Sequence, residues 1–414
     1  MIDTTVPGSM VLRDVRVFPR RWQEPAVDVV VTDGRIAASA APGAPAPVGH
    51  VEVDGRGGVL LPALADVHCH LDSSRLGQRF RPHTAERNLA SLIRNDLDSR
   101  VDDERNVADQ AAHTLSLMVA SGVTTVRSHG QVDTRTGMHR IESLLAARKA
   151  MAGVVDVQLV AFPQAGLLND PGALDLVDAA IGDGVDLVGG LDPSTYELDP
   201  VEHLNQVFGL CERHQVGADI HLHERGDVGW FTMGLILERV RALGMQGKVT
   251  ISHGFVLTTA DPARQVELAE RMAELDVAVT TVAPSGGGLP LRALRDAGVR
   301  VGLGQDGTRD YWSPYGDGDQ LRRAWQLAFV ADVRGDEDIE HCVSVASRGG
   351  RAVVHGGDLS RPVVDDDVFG LAVGAPAELL VATGDTVTAA VMDCAPQRLV
   401  IHRGHLVAKD GQLL

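Results

Sequence analysis

Two histidines one residue apart, His68 and His70, close an apolar run (VLLPALADVH) early in the chain. Side chains alternate along a strand, so both imidazoles point to one side and Cys69 to the other, an arrangement that grips a single metal ion. An H-x-H pair alone also arises by chance on exposed strands. Here it has company, because His221 stands in a later run (GADIHLH) and Asp306 ends another (VRVGLGQD). Three imidazoles and a carboxylate suit one borderline divalent ion, Zn2+ or Fe2+. Other runs end in polar residues too: His129 closes GVTTVRSH, Gln164 follows VDVQLVAF and His253 closes KVTISH. Glu224, three residues after His221, falls where strand gives way to loop, within reach of a substrate at the metal, which suits a proton shuttle. His223 shares a strand face with His221 and either supports a ligand or lines the pocket.

Residues so far apart in sequence need a scaffold that gathers strand ends. Eight apolar runs alternate with amphipathic helical stretches between residues 59 and about 355; the remaining two are VDLVGGLD and VAVTTVAP. Eight such repeats predict a (β/α)8 TIM-like barrel rather than a doubly wound sheet. The polar residues lie at C-terminal strand ends, the face on which barrel enzymes build their sites. Before the barrel, residues 10–38 alternate apolar and polar around an Asp33-Gly34 hairpin turn. After it, AELLVATG and RLVIHRGHLVAKDG return to β character. The expected division is residues 1–60 and 358–414 forming a small β-sandwich, with 61–357 as the barrel. SGGGLP after the seventh run lacks a neighbouring lysine and reads as a flexible turn rather than a phosphate loop. Histidines in expected helices and loops, such as His83, His203 and His341, read as structural or solvated.

Composition narrows the function. The chain has 414 residues, 44% hydrophobic and 23% charged, enough for a sizeable core. Its 38 Lys+Arg against 56 Asp+Glu leave a net charge of −18. Such a surface repels phosphate backbones and anionic headgroups, so neither nucleic acid nor membrane is expected as a partner. A small neutral molecule fits better, and whether the chain forms a homo-oligomer is left open. Cys69, Cys211, Cys342 and Cys394 are scattered without a C-x-x-C pair, as expected of reduced thiols. No signal-like opening and no apolar run of about 18 residues occurs; a cytoplasmic protein is the expectation.

The motifs DVHCHLD, RSHGQVD, AFPQAGLL, DIHLHE, ISHG and GQDGTRDYWSPYGDGD resemble the amidohydrolase superfamily, in the branch of cytosine deaminases and triazine aminohydrolases. That resemblance implies that His68, His70, His221 and Asp306 hold the metal and Glu224 moves protons. It further implies that His253 holds the attacking water-derived oxygen and Gln164 recognises the heterocycle. The only lysines are Lys149, Lys248 and Lys409. None follows the fourth run, where Asp192 stands, so the carboxylated lysine that bridges two metals in many superfamily members has no counterpart.

Two positions depart from the cytosine deaminases: Gly307 replaces a second Asp after Asp306, and His223 replaces an Asp. The resemblance therefore implies hydrolytic deamination of a small amino-substituted N-heterocycle, a cytosine-like pyrimidine or a triazine, with release of ammonia or an amine. Gln164 offers an acceptor and a donor that match an O=C–N–H ring edge. Asp310 is a candidate contact to a substrate amino group, and Trp312, Phe162 and Trp230 are candidate walls for the ring. A neighbouring aspartate, Asp133, is a candidate brace for His129. Two rival readings are hydrolysis of a cyclic amide or imidazolone ring, and a catalytically silent barrel used for binding or assembly.

Overall fold

The computed structural model describes residues 8–18, 25–82, 84–86, 88–99, 106–285, 287–356 and 370–414. The expected boundary at residue 357, His83 and Gly286 of the SGGGLP turn lie outside the described residues. The N-terminal strands are β1 (Met10–Val17), β2 (Val27–Thr32), β3 (Arg35–Ala40), β4 (Val51–Asp54) and β5 (Val59–Pro62). Next come β6 (Leu64–Cys69), β7 (Val123–Gln131), β8 (Asp156–Phe162), β9 (Leu187–Leu191), β10 (Gly217–His221), β11 (Val249–Ser252), β12 (Ala278–Thr281) and β13 (Val301–Leu303). The C-terminal strands are β14 (Leu379–Ala382), β15 (Arg398–His402), β16 (His405–Lys409) and β17 (Gln412–Leu413).

Strands β6 to β13 pair in sequence order, and every pairing is parallel. Helices between them cover the outer face, which is why these strands are apolar on both sides rather than alternating. Closure comes where β13 returns to β6. Gly304 lies so close to His68 that a β-carbon there would meet its carbonyl oxygen at 2.4 Å. With that space open, the Asp306 amide donates to the His68 carbonyl at 2.8 Å, and Cys69 bridges Asp306. The barrel is thus sealed at the two segments that carry His68, His70 and Asp306.

The terminal segments build a second, mixed sheet in the order β17-β16-β15-β14-β5-β1-β2-β3, with β4 also paired to β1. The tail therefore pairs with the N-terminal strands, as its β character implied. β1 pairs with β2 and β4 through its first half and with β5 through its second, bending at Asp14 (φ +50°). The apolar run VLLPALADVH is shared between the two bodies: β5 joins β14 in the mixed sheet, and β6 opens the barrel at Leu64, two residues after β5 ends at Pro62. Arg398 on β15 donates to both oxygens of Asp319 at 2.7 and 2.9 Å. Asp319 also caps the helix Gln320–Val330, accepting from Leu321 N at 2.9 Å, so one buried bidentate pair ties the sheet to the barrel. Among the described residues, no helix is long and apolar enough to cross a membrane.

Candidate metal centre and active site

His68 and His221 stand on β6 and β10, and His70 and Asp306 lie just beyond β6 and β13. The structure brings all four together. His68 Nε2 and His70 Nε2 lie 3.6 and 3.4 Å from the same oxygen, Asp306 Oδ1. One nitrogen of each of His68, His70 and His221 falls within 4.8 Å of the others. Two atoms each about 2.0–2.1 Å from a tetrahedral ion stand roughly 3.4 Å apart, so the spacing matches ligands that share an ion. The chemistry of the donors fits as well. His68 Nε2 and both nitrogens of His221 are buried without a hydrogen-bond partner, a costly state that a cation relieves. Burial, followed by the neighbouring imidazoles, holds His221 well below the usual histidine range, so its ring is neutral and offers a lone pair. Burial alone would raise the Asp306 carboxyl, but its contacts to His68 and His70 outweigh that and hold it well below the carboxylate range. Phe162 stacks on His221 with ring centres 4.1 Å apart, orienting a ring that no hydrogen bond fixes.

A cavity of about 560 Å³ opens above these residues, at the C-terminal strand ends. Gln164, His223, His253, Asp310 and Trp312 all line it. His253 follows β11 with φ +68°, and Asp306 has φ +63°; such strained backbone on non-glycine residues clusters at functional sites. The His253 ring lies 4.2 Å from that of His223 and 4.6 Å from that of His68. Its pKa is lowered well below the usual range by burial and the adjacent imidazoles. Asp310 Oδ1 accepts from the Trp312 and Ser313 amides at 2.8 and 2.9 Å, while Oδ2 faces Ser73 at 3.4 Å.

Glu224 lies in the loop between β10 and the helix Gly226–Leu243, as expected, but with its carboxylate enclosed. It is buried and is not among the cavity-lining residues. One carboxylate oxygen accepts from the Ser194 and Thr195 amides at 2.7 and 2.9 Å, and the other accepts from the Thr232 hydroxyl. The residue beside it, half-buried, takes the cavity-facing position: His223 Nδ1 lies 2.8 Å from Asp192 Oδ2, and the His223 amide donates to Asp192 Oδ1 at 2.7 Å. Nε2 is then the nitrogen left for a bound molecule. Asp192, just past β9, carried no assigned role in the sequence. The one available signal was an aspartate ending the run VDLVGGLD.

His129 sits inside β7, fully buried, its ring 4.4 Å from that of His68 and both nitrogens without a partner. Asp133 does not brace it; that carboxylate accepts from Gln131 Nε2 and from the Arg135 and Thr136 amides. Trp230 is likewise absent from the cavity wall, lying under the guanidinium of Arg264.

Residues 83–414 match the model of the Amidohydrolase family. A solved structure of N-isopropylammelide isopropylaminohydrolase from Burkholderia multivorans is 36% identical, covers 98% of this chain and 100% of its own, and superposes with a TM-score of 0.89. The N-isopropylammelide isopropyl amidohydrolase of Pseudomonas sp. (strain ADP) is 26% identical over 367 residues, 87% of this chain and 88% of that protein. A 5-methylcytosine deaminase from Klebsiella pneumoniae, liganded with phosphonocytosine, is 25% identical with a TM-score of 0.79 and covers 97% of this chain and 98% of its own. The chain belongs to the amidohydrolase family, in the branch that holds N-isopropylammelide isopropylaminohydrolases and cytosine deaminases.

Proposed function

We propose that this protein is a hydrolase that removes ammonia or an amine from a small amino-substituted N-heterocycle, using one divalent ion, Zn2+ or Fe2+, held by His68, His70, His221 and Asp306. The observation that carries the reading is the convergence of His68 Nε2 and His70 Nε2 on a single oxygen of Asp306, with His221 alongside. A single ion is favoured because β9 is followed by Asp192 and not by a lysine. When bound, the ion would supply Lewis acidity, which lowers the pKa of a water towards neutrality.

The remaining work falls to side chains. Neutral His253 orients the attacking oxygen, and the second oxygen of Asp306 takes its proton. His223, held by Asp192 through Nδ1, would take that proton from Asp306 at Nε2 and pass it to the departing nitrogen, a part its place on the cavity wall supports better than the enclosed position of Glu224. Glu224 then braces the segment 194–195 against the helix Gly226–Leu243. Gln164 presents its amide to the O=C–N–H edge of the ring, and a buried polar group so matched rejects rings lacking that edge. Asp310 accepts from a ring or amino N–H, and Trp312 borders the ring. The cavity is several times the size of a six-membered ring, which leaves room for an N-alkyl substituent such as the relatives' names imply.

A screen for released ammonia or amine tests this, run with metal-replete protein over amino-substituted pyrimidines, triazines, pterins and cyclic guanidines. Expected is turnover of at least one ring, with amine and keto product in equal amounts, abolished by a chelator. Silence across every class, a ring-opened carboxylate as product, or turnover that survives complete metal removal would overturn it.

A further inference from the structure

Beneath the proposed ligands, a chain of hydrogen bonds crosses the barrel interior. His68 Nδ1 lies 2.7 Å from Ser252 Oγ. Ser252 Oγ in turn lies 2.5 Å from Asp219 Oδ1, and Asp219 Oδ2 accepts from Arg127 Nη1 at 2.8 Å. His68, Ser252 and Asp219 are fully buried and Arg127 is 2% exposed, so no solvent competes for these contacts. Arg127 is fixed from every side, donating to Gln158 Oε1, Thr250 Oγ1 and the Val353 carbonyl at 2.7, 2.9 and 2.9 Å.

The direction of each bond follows from what each group is able to give. A guanidinium only donates, so Asp219 accepts at Oδ2. A carboxylate paired with that cation accepts at its other oxygen as well, which commits the single Ser252 proton to Asp219. The Thr280 hydroxyl lies 3.2 Å away as a further donor to Ser252. Ser252 therefore has only an acceptor left for His68, and the ring proton of His68 must sit on Nδ1. Its lone pair is then on Nε2, the nitrogen that faces Asp306 and lacks a protein partner.

We infer that Arg127, Asp219 and Ser252 are positioning residues that fix His68 in its Nδ1–H tautomer and so strengthen the hold of the site on a divalent ion. This rests on the metal reading given above. Partners of this kind typically change metal affinity by roughly 10–100-fold when removed. The arrangement follows strand alternation: His68, Ser252 and Asp219 come from β6, β11 and β10, and Asp219 lies two residues before His221, on the same face.

The test uses the metal-free full chain titrated with Zn2+ against a chromophoric chelator, alongside nitrogen-15 spectra of histidine-labelled protein. Ser252→Ala should bind Zn2+ roughly 10–100-fold more weakly, and Ser252→Thr, which keeps the hydroxyl, should restore most of the affinity. In the metal-free wild type, the spectra should show His68 protonated at Nδ1. An Nε2–H tautomer of His68, or wild-type affinity in Ser252→Ala, would overturn the relay even if Zn2+ binds. Absence of stoichiometric Zn2+ binding by the wild type would instead remove the metal reading, and this inference with it. If Ser252→Ala does not fold, the tautomer of the wild type still decides the matter.

Discussion

A β-carbon on Gly307 would lie 2.0 Å from Oδ2 of Asp310, so the Asp310 carboxylate occupies the space that any side chain at 307 would take. The glycine at 307 thus leaves room for Asp310 on the cavity wall. Burial, followed by the negative charge of Asp96, pushes the Asp310 carboxyl up to about 6. At neutral pH it is therefore ionised, as the proposed acceptor of a hydrogen bond from substrate needs to be. Gly307→Ala should displace it and raise KM about 10-fold with a smaller change in kcat, as should Asp310→Asn. In the wild type, KM should rise as pH falls through about 6, where Oδ2 gains a proton, and Asp310→Asn should flatten that rise. Steady-state kinetics across pH checks both, and an unchanged KM in the two variants would remove Asp310 from the site.

His223 and Glu224 are adjacent yet should respond differently to substitution. His223→Asn removes the proposed proton carrier and should lower kcat on the order of 100-fold with little change in thermal stability. Glu224→Gln puts an amide where a carboxylate accepts from two backbone amides and a hydroxyl, and should cost roughly 1–3 kcal/mol of stability. Paired measurements of kcat and unfolding midpoint separate the two. A stable Glu224→Gln protein with turnover abolished would return the proton shuttle to Glu224.

Much of this was legible in the chain because period and position carry the information. The eight apolar runs each became a barrel strand, and the H-x-H spacing placed His68 and His70 together on the barrel's inner side through simple alternation. Contacts between strands distant in sequence were not legible. No pattern announces that Ser252 meets His68, or that Asp192 turns under His223, since both depend on how far one strand end leans toward another. The enclosure of Glu224 depends likewise on the loop after β9 folding over it, which places the Ser194 and Thr195 amides against its carboxylate. The division of VLLPALADVH between two sheets was hidden because both strands are wholly buried and so look alike in hydropathy.

Buried imidazole nitrogens without partners would make the proposed metal a stability determinant as well as a cofactor. Chelation should abolish turnover and lower the unfolding midpoint, and Zn2+ at about 100 times its Kd should restore roughly 2.7 kcal/mol. His221→Ala should lose most of that metal-dependent stabilisation. Calorimetry with and without Zn2+ measures it, and an unfolding midpoint indifferent to both chelator and Zn2+ would count against a bound ion.

Far from the cavity, His341 in the helix Asp336–Ser344 has both ring nitrogens buried without a partner. Burial first, then the charge of Arg295, lowers its pKa to about 4, against the opposing pull of Asp338 and Asp296. The unfolded chain takes up this proton near the ordinary value of 6.5 and the folded protein only near 4. Between those values the unfolded state binds more protons, so stability is full above about pH 6.5 and falls as the solution is acidified. The whole shift corresponds to about 3 kcal/mol, of which roughly 2 kcal/mol is lost by about pH 5. His341→Leu keeps the site apolar and removes the titrating group. Urea unfolding of the metal-free proteins should therefore give a shallower loss of stability between about pH 7 and pH 5 in the variant, by roughly 2 kcal/mol. Because the other histidines titrate in both proteins, the difference between the two curves isolates His341, and parallel curves would mean that its ring is hydrated or charged in the folded state.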